Sequence, residues 1–185
     1  MRLAVLMATY NGEKYLEEQI ESVLSQKTKF EFDLIIRDDG SKDETREILK
    51  KYGQEGKIVF IEGNNLGAAK GFISMLKQAV GYDYYALYCS NCELVDAELN
   101  SIGRNTHRSR PSYTLESILC LASCAQGCTS VFNKELARII QENEVPDVFI
   151  MHDSLVTCLC GLIGGTIIYD EEPSMKYRMH GNNVF

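Results

Sequence analysis

Three strand-turn-helix units fill the first eighty or so residues, each strand ends in a polar turn, and no long linker or repeat interrupts them. Together these observations predict an α/β fold with a mostly parallel sheet covered by helices on both faces. A length of 185 residues with 45% apolar content suffices for one substantial core, and a single domain over residues 1–185 is expected.

The first strand is expected over Arg2 to Ala8, a continuous apolar run ending in Thr9-Tyr10-Asn11-Gly12. From Glu13 to about Gln26, Tyr15, Leu16, Ile20, Val23 and Leu24 recur at helical spacing, with acidic residues early where they favour the positive end of the helix dipole. A second strand, Phe32 to Arg37, runs into Asp38-Asp39-Gly40-Ser41; Ser41 or Asp43 can cap the next helix, which turns Ile48 and Leu49 to the core. The third unit has a strand from Lys57 to Ile61, a turn through Gly63-Asn64-Asn65-Leu66-Gly67 and a helix to about Val80. This is a Rossmann-like layout, in which ligands bind beyond the carboxyl ends of the strands, where all these polar turns lie.

Beyond that point the pattern is less regular. Tyr84 to Cys92 reads as a strand, Tyr113 to Ser123 as a helix, Cys128 to Phe132 as a short strand and Lys134 to Gln141 as a helix. His152 to Leu162 reads as a further helix, and Thr166 to Tyr169 and Met175 to Arg178 as closing strands.

Composition narrows the function classes. With a net charge of -7 and no long Lys/Arg cluster, no nucleic-acid partner is expected. Leu3 to Ala8 is too short for a signal peptide or a membrane span, so a cytoplasmic protein is expected. The seven cysteines include one C-x-x-C, Cys89 and Cys92, with no second pair to complete a zinc site, and they read as buried free thiols.

The turns at Thr9-Tyr10-Asn11-Gly12 and Asp38-Asp39-Gly40-Ser41 follow adjacent expected strands and would line one crevice. There a carboxylate can accept the imide N–H of uracil or thymine and the Tyr10 ring can flank the base. Taken alone, an Asp-Asp-Gly stretch is also an ordinary acidic turn. Lys70, close to the start of the third helix, suits a diphosphate or is a solvated lysine. No glycine-rich dinucleotide or P-loop motif is present, which disfavours those nucleotide enzymes and ranks a nucleotidyltransferase last.

The ordered set resembles glycosyltransferase family 2, in its bacterial rhamnosyltransferase-like branch. It comprises Met7 to Gly12, Tyr15 to Ile20, Ile36 to Ser41, Asn65-Leu66-Gly67, Gln126 to Thr129 with Phe132-Asn133, His152-Asp153 and Tyr177 to Asn183. The resemblance implies a GT-A nucleotide-diphospho-sugar transferase fold, with residues 1–92 as the nucleotide-binding half and 93–185 as the acceptor side. It implies inverting transfer from a UDP- or dTDP-sugar to a glycan or lipid-linked glycan acceptor in surface polysaccharide synthesis, with peripheral association at the inner membrane face. Thr9, Tyr10, Asn11, Asp38, Asp39 and Lys70 would hold the nucleotide. Asp153 would be the general base, taking the acceptor hydroxyl proton. Gly127, Cys128, Thr129 and His152 would lie on the acceptor side, and Arg178 and His180 near the diphosphate, His180 also near a metal.

A divalent metal, Mn or Mg, is implied by the family, whose members carry an Asp-x-Asp motif after the strand that begins like Gly81 to Ala86. Here Ala86 is followed by Leu87-Tyr88-Cys89-Ser90-Asn91-Cys92, with no carboxylate before Glu93. An internal piece is therefore expected to be missing near residues 86–87. The alternative function is a nucleotide-sugar binding module made inactive by that loss.

Overall fold

The structure is a computed structural model and describes residues 1–86, 90–106, 111, 113, 114, 117, 127–145 and 151–179. The chain divides into two compact units, Met1–Ala86 with Phe132–His152, and Leu87–Val131 with Asp153–Phe185.

In the first unit the order is β1 (Arg2–Thr9), α1 (Glu13–Leu24), β2 (Glu31–Asp38), α2 (Thr45–Gln54), β3 (Val59–Glu62), α3 (Ala68–Gln78) and β4 (Tyr84–Ala86). After the second unit's first segment come β7 (Phe132–Asn133) and α4 (Lys134–Glu142). The sheet order is β3-β2-β1-β4-β7, parallel except for the β4-β7 pair. The chain therefore steps outward from β1 to β3 and then returns to the other side of β1. Right-handed crossovers then put α1 and α2 on one face of the sheet and α3 on the other.

Strand periodicity explains the core on each face. Leu34 and Ile36 of β2 pack with Leu16 and Ile20 of α1, Leu49 and Tyr52 of α2, and Ile58. Burying aliphatic side chains of this size contributes about 1.5–3 kcal/mol each. On the other face α3 packs against β1, β2 and α4. Tyr85 and Phe132 stack with centroids 5.8 Å apart. The α4 residue Gln141 donates from Nε2 to the carbonyls of Leu76 and Ala79, each at 3.0 Å, so part of the C-terminal end of α3 is satisfied by a partner from far along the chain.

The second unit holds β5 (Ser90–Val95), β6 (Ser101–Asn105), a 3-10 turn (Gly127–Thr129), most of α5 (His152–Leu162) and β8 (Asp170–Arg178). Its sheet order is β6-β5-β8, with β5 antiparallel to β6 and parallel to β8. Register shifts interrupt both pairings. Cys92, Val95, Leu155, Val156 and Tyr169 are buried here.

Several sequence expectations change. The apolar run Tyr84 to Cys92 yields two strands, β4 and β5, in different sheets. Cys128 to Phe132 is a 3-10 turn followed by the two-residue β7, because the chain there passes from one unit to the other. Thr166 to Tyr169 is not a strand; β8 starts at Asp170 and not at Met175. Neither Ser41 nor Asp43 takes the cap position of α2, which belongs to Glu44, since the Ser41 hydroxyl is engaged elsewhere. The helix expected over 113–123 lies mostly outside the described residues.

Candidate functional site

The parallel register sets Thr9 of β1 against Asp38 of β2, so the turns that follow both strands leave the sheet side by side. They are joined by hydrogen bonds. Asp39 N–H donates to the Thr9 carbonyl at 2.9 Å, Asn11 N–H to Ser41 Oγ at 2.8 Å, and Gly12 N–H to Thr45 Oγ1 at 2.8 Å. In return Asn11 Oδ1 accepts from Lys42 N–H at 2.9 Å. Asn11 reaches this geometry with a φ of 49°, a left-handed conformation that asparagine tolerates better than most residues. The two corners thus form one continuous surface, and Tyr10 stands on it with 48% of its surface exposed.

The two aspartates point to different neighbours. Asp38, fully buried at the end of β2, faces α2 and accepts from Gly40 N–H, Ser41 N–H, the Ser41 hydroxyl and Arg46 Nε. Asp39 turns toward the start of α3 and accepts from Leu66 N–H, Gly67 N–H and the Arg37 guanidinium. Burial acts to raise the Asp39 pKa, but the Leu66, Arg37 and Gly67 hydrogen bonds together outweigh it and hold the carboxyl below its ordinary value. A carboxylate has about four lone-pair positions. Leu66 N–H is shared between the two Asp39 oxygens, at 3.0 and 3.1 Å, so each oxygen is held by two contacts.

Arg37 is the residue that the sequence motif contained without revealing a role. It precedes Asp38 on β2, so its side chain takes the opposite face of the sheet, toward α3. It is 3% exposed, and besides Asp39 it donates from Nη2 to the Asn64 carbonyl at 2.9 Å. The signal available in sequence was an arginine directly after the apolar run Leu34-Ile35-Ile36, with glycines at positions 63 and 71. Lys70 lies exposed in the first turn of α3, on the same side of the unit as Asp39. Thr9, Tyr10, Asn11, Asp38, Asp39 and Lys70 therefore all belong to the carboxyl-terminal edge of the first sheet or the helix start beside it. His152 also belongs to the first unit, stacked on Phe72 of α3 at 4.1 Å between centroids.

In the second unit, Asp153 sits half-buried in the first turn of α5, accepting from Ser154 N–H at 2.7 Å. Thr129 is buried and Cys128 exposed on the 3-10 turn beside β5. The Cys92 thiol, hydrogen-bonded to Cys128, lowers the Cys128 pKa; burial and the nearby Asp153 charge oppose that shift without cancelling it. Arg178 ends β8, paired in register with Val95. Gly127 opens the 3-10 turn, and His180 lies outside the described residues.

The described residues bring together no donor set for a divalent metal of the kind the resemblance implies. Among the described residues no cluster of three or more His, Cys, Asp or Glu side chains could hold one. The segment after β4, where the acidic motif is expected, offers Leu87-Tyr88-Cys89-Ser90-Asn91, which contains none of the hard carboxylate oxygens such ions favour. Among the described residues no helix is long and apolar enough to cross a membrane.

Comparison with known proteins agrees with this layout. The profile described as Glycosyl transferase family 2 matches residues 4–91, which include the turns after β1, β2 and β3. The chain is 34% identical over 101 residues to the poly(ribitol-phosphate) beta-N-acetylglucosaminyltransferase TarS of Staphylococcus aureus, covering 53% of this chain and 17% of TarS. It is 28% identical over 211 positions to the dTDP-rhamnosyl transferase RfbG of Shigella flexneri, covering 96% of this chain and 72% of RfbG. Because the chain has 185 residues, at least 26 of those 211 positions have no residue of this chain opposite them. Among solved structures, S. aureus TarS 1-349 in complex with UDP-GlcNAc superposes with a TM-score of 0.65 at 19% identity, over 99% of this chain and 60% of that one. The mannosyltransferase PcManGT of Pyrobaculum calidifontis, in complex with GDP-Man and Mn2+, gives 0.63 at 13% identity, over 96% and 56%. These likenesses show the GT-A fold, and the chain spans well under two thirds of the TarS proteins it matches. The segment that builds the β1-β2 corner is thus the part of the chain that is similar to glycosyltransferase family 2.

Proposed function

We propose that the chain binds the nucleotide of a UDP- or dTDP-sugar at the joined β1-β2 corner and transfers the sugar, with inversion, to a glycan or lipid-linked acceptor in surface polysaccharide synthesis. The observation that carries this reading is the corner itself: an exposed Tyr10 and an Asp39 carboxylate held in a fixed orientation, on a surface tied together by hydrogen bonds. An imide N–H fits that acceptor, the aromatic ring offers a stacking face for the base, and Lys70 offers a positive charge to a diphosphate. The relatives named for transfer of N-acetylglucosamine and rhamnose support a nucleotide-sugar donor.

Asp153 is the proposed general base. An acceptor hydroxyl must lose its proton as its oxygen attacks the anomeric carbon, and a carboxylate within hydrogen-bonding reach takes it. The leaving nucleoside diphosphate needs positive charge around it, for which Lys70 and Arg178 are the proposed donors, with His180. Work at the inner face of a membrane is part of this proposal, since a lipid-linked acceptor would be presented there.

A second reading is favoured by the donor set after β4. The absent carboxylates, together with the positions of RfbG that have no counterpart here, support a missing internal piece near residues 86–87 and a module that binds a nucleotide-sugar without turning it over. Isothermal titration with UDP and dTDP, with and without manganese, separates the readings when paired with a sugar-release assay. Metal-independent binding without release or transfer selects the module; absence of binding under all conditions removes the site. For the transferase, Asp153→Asn is expected to abolish transfer with UDP affinity kept, and unchanged turnover would strip Asp153 of its role.

A further inference from the structure

We propose that Arg37 is a positioning residue that gives the nucleotide site its preference for bases with an imide N–H, by fixing the orientation of the Asp39 carboxylate. The inference rests on the reading of Asp39 as the base acceptor. One guanidinium ties together two parts of the site: Nη1 donates to Asp39 Oδ1, and Nη2 donates to the Asn64 carbonyl. The same carboxylate holds Leu66 N–H and Gly67 N–H, so Arg37, Asp39 and the 63–67 turn form a closed set of bonds. Rotation of the carboxylate about its Cβ–Cγ bond would break members of that set.

The surroundings are shaped to admit this side chain. A Cβ at Gly63 would lie 2.7 Å from Arg37 Cζ and closer still to Nη2, and one at Gly71 would lie 3.1 Å from Nη1 and 3.4 Å from Asp39 Oδ1. Two separate elements, the turn after β3 and helix α3, thus lack side chains where the guanidinium sits. A buried ion pair is on general grounds a weak source of net stability, and apolar residues of similar volume often replace one without loss. Its contribution lies in geometry. Only a planar fork donates to a carboxylate and a carbonyl in fixed directions at once, which a lysine ammonium does not reproduce.

With Asp39 so held, its carboxylate can meet a base only from the direction these bonds fix. Uracil presents a donor at N3, whereas cytosine presents an acceptor there, so a fixed carboxylate favours UDP and repels CDP.

The test is titration calorimetry of the full chain with UDP and with CDP. The wild type is expected to bind UDP more tightly than CDP. In Arg37→Met the UDP affinity falls about tenfold or more, the scale of one hydrogen bond to a charged group, while CDP affinity stays and the preference collapses. Arg37→Lys does not restore it. Should Arg37→Met fail to fold, Gly71→Ala carries the test, because its methyl group crowds the guanidinium without removing it, and the same loss of preference is expected. A folded Arg37→Met or Gly71→Ala that keeps the wild-type UDP-to-CDP ratio overturns the inference and leaves the nucleotide site standing. A wild type that binds neither UDP nor dTDP overturns both.

Discussion

The β1-β2 corner of the first unit and the β5-β6 hairpin of the second are both organised by an aspartate that accepts backbone N–H groups, but they use it differently. Asp96 accepts from Glu98 N–H and from the Asn100 backbone and side chain, all within four residues of itself, in an exposed turn. Asp38 is fully buried and adds Arg46 of α2 to its local donors, while its neighbours Ser41 and Thr45 accept from Asn11 and Gly12 some thirty residues earlier. The local turn closes a hairpin. The long-range corner ties two βα units together, and a polar defect there is felt by the whole sheet.

The largest effect expected from this contrast is on stability. Asp38→Ala leaves the Ser41 and Gly40 donors and the Arg46 charge without their shared acceptor, and should lower the unfolding free energy by about 3 kcal/mol in urea denaturation. Asp96→Ala should shift the same midpoint far less. Equal shifts would erase the distinction between the two turns.

A smaller effect sharpens the role of Asp39. Its folded pKa is depressed, so its contribution is present above the unfolded carboxylate value of about 4 and is lost as the pH falls through the lower folded value. Stability measured by circular dichroism should therefore drop below about pH 4, and Asp39→Asn should flatten part of that slope. An unchanged slope in the variant would mean that the carboxylate is not held as described.

The smallest effect concerns reactivity in the second unit. Cys128 is exposed and its pKa is lowered chiefly by the Cys92 thiol, whereas burial raises that of Cys160. Under limiting iodoacetamide at neutral pH, peptide mapping should show Cys128 alkylated before Cys160, because the thiolate is the reacting form. The reverse order would place the lowered thiol elsewhere.

Legibility in the sequence follows the same division. β1, α1, β2 and α5 lie within two residues of expectation because their apolar spacing records burial against neighbours in a regular sheet or helix layer. The break between β4 and β5 left no mark, since no charge, glycine or proline interrupts Tyr84 to Cys92 and the strand ends depend on pairing with β1 and β8. β6 is exposed along its length and shows no alternation from which a strand could be read, whereas of β8 only the end, Met175 to Arg178, was legible, its exposed first half being silent. Within the site, turn chemistry made Thr9, Asp38 and Asp39 visible. Arg37 stayed silent because its meaning depends on Gly63 and Gly71, which mark absent side chains and not present ones.

The pairing of β4 with β7 bears on how the protein can be divided. The family match ends at residue 91, yet β4 is covered on its outer side by Phe132-Asn133, and the end of α3 is closed by Gln141. A fragment cut at residue 91 would carry a bare strand margin and the uncovered ring of Tyr85, the kind of surface on which chains adhere to one another. Recombinant pieces meant to remain dispersed must reach past Asn143, where Lys77 finds its carbonyl partner.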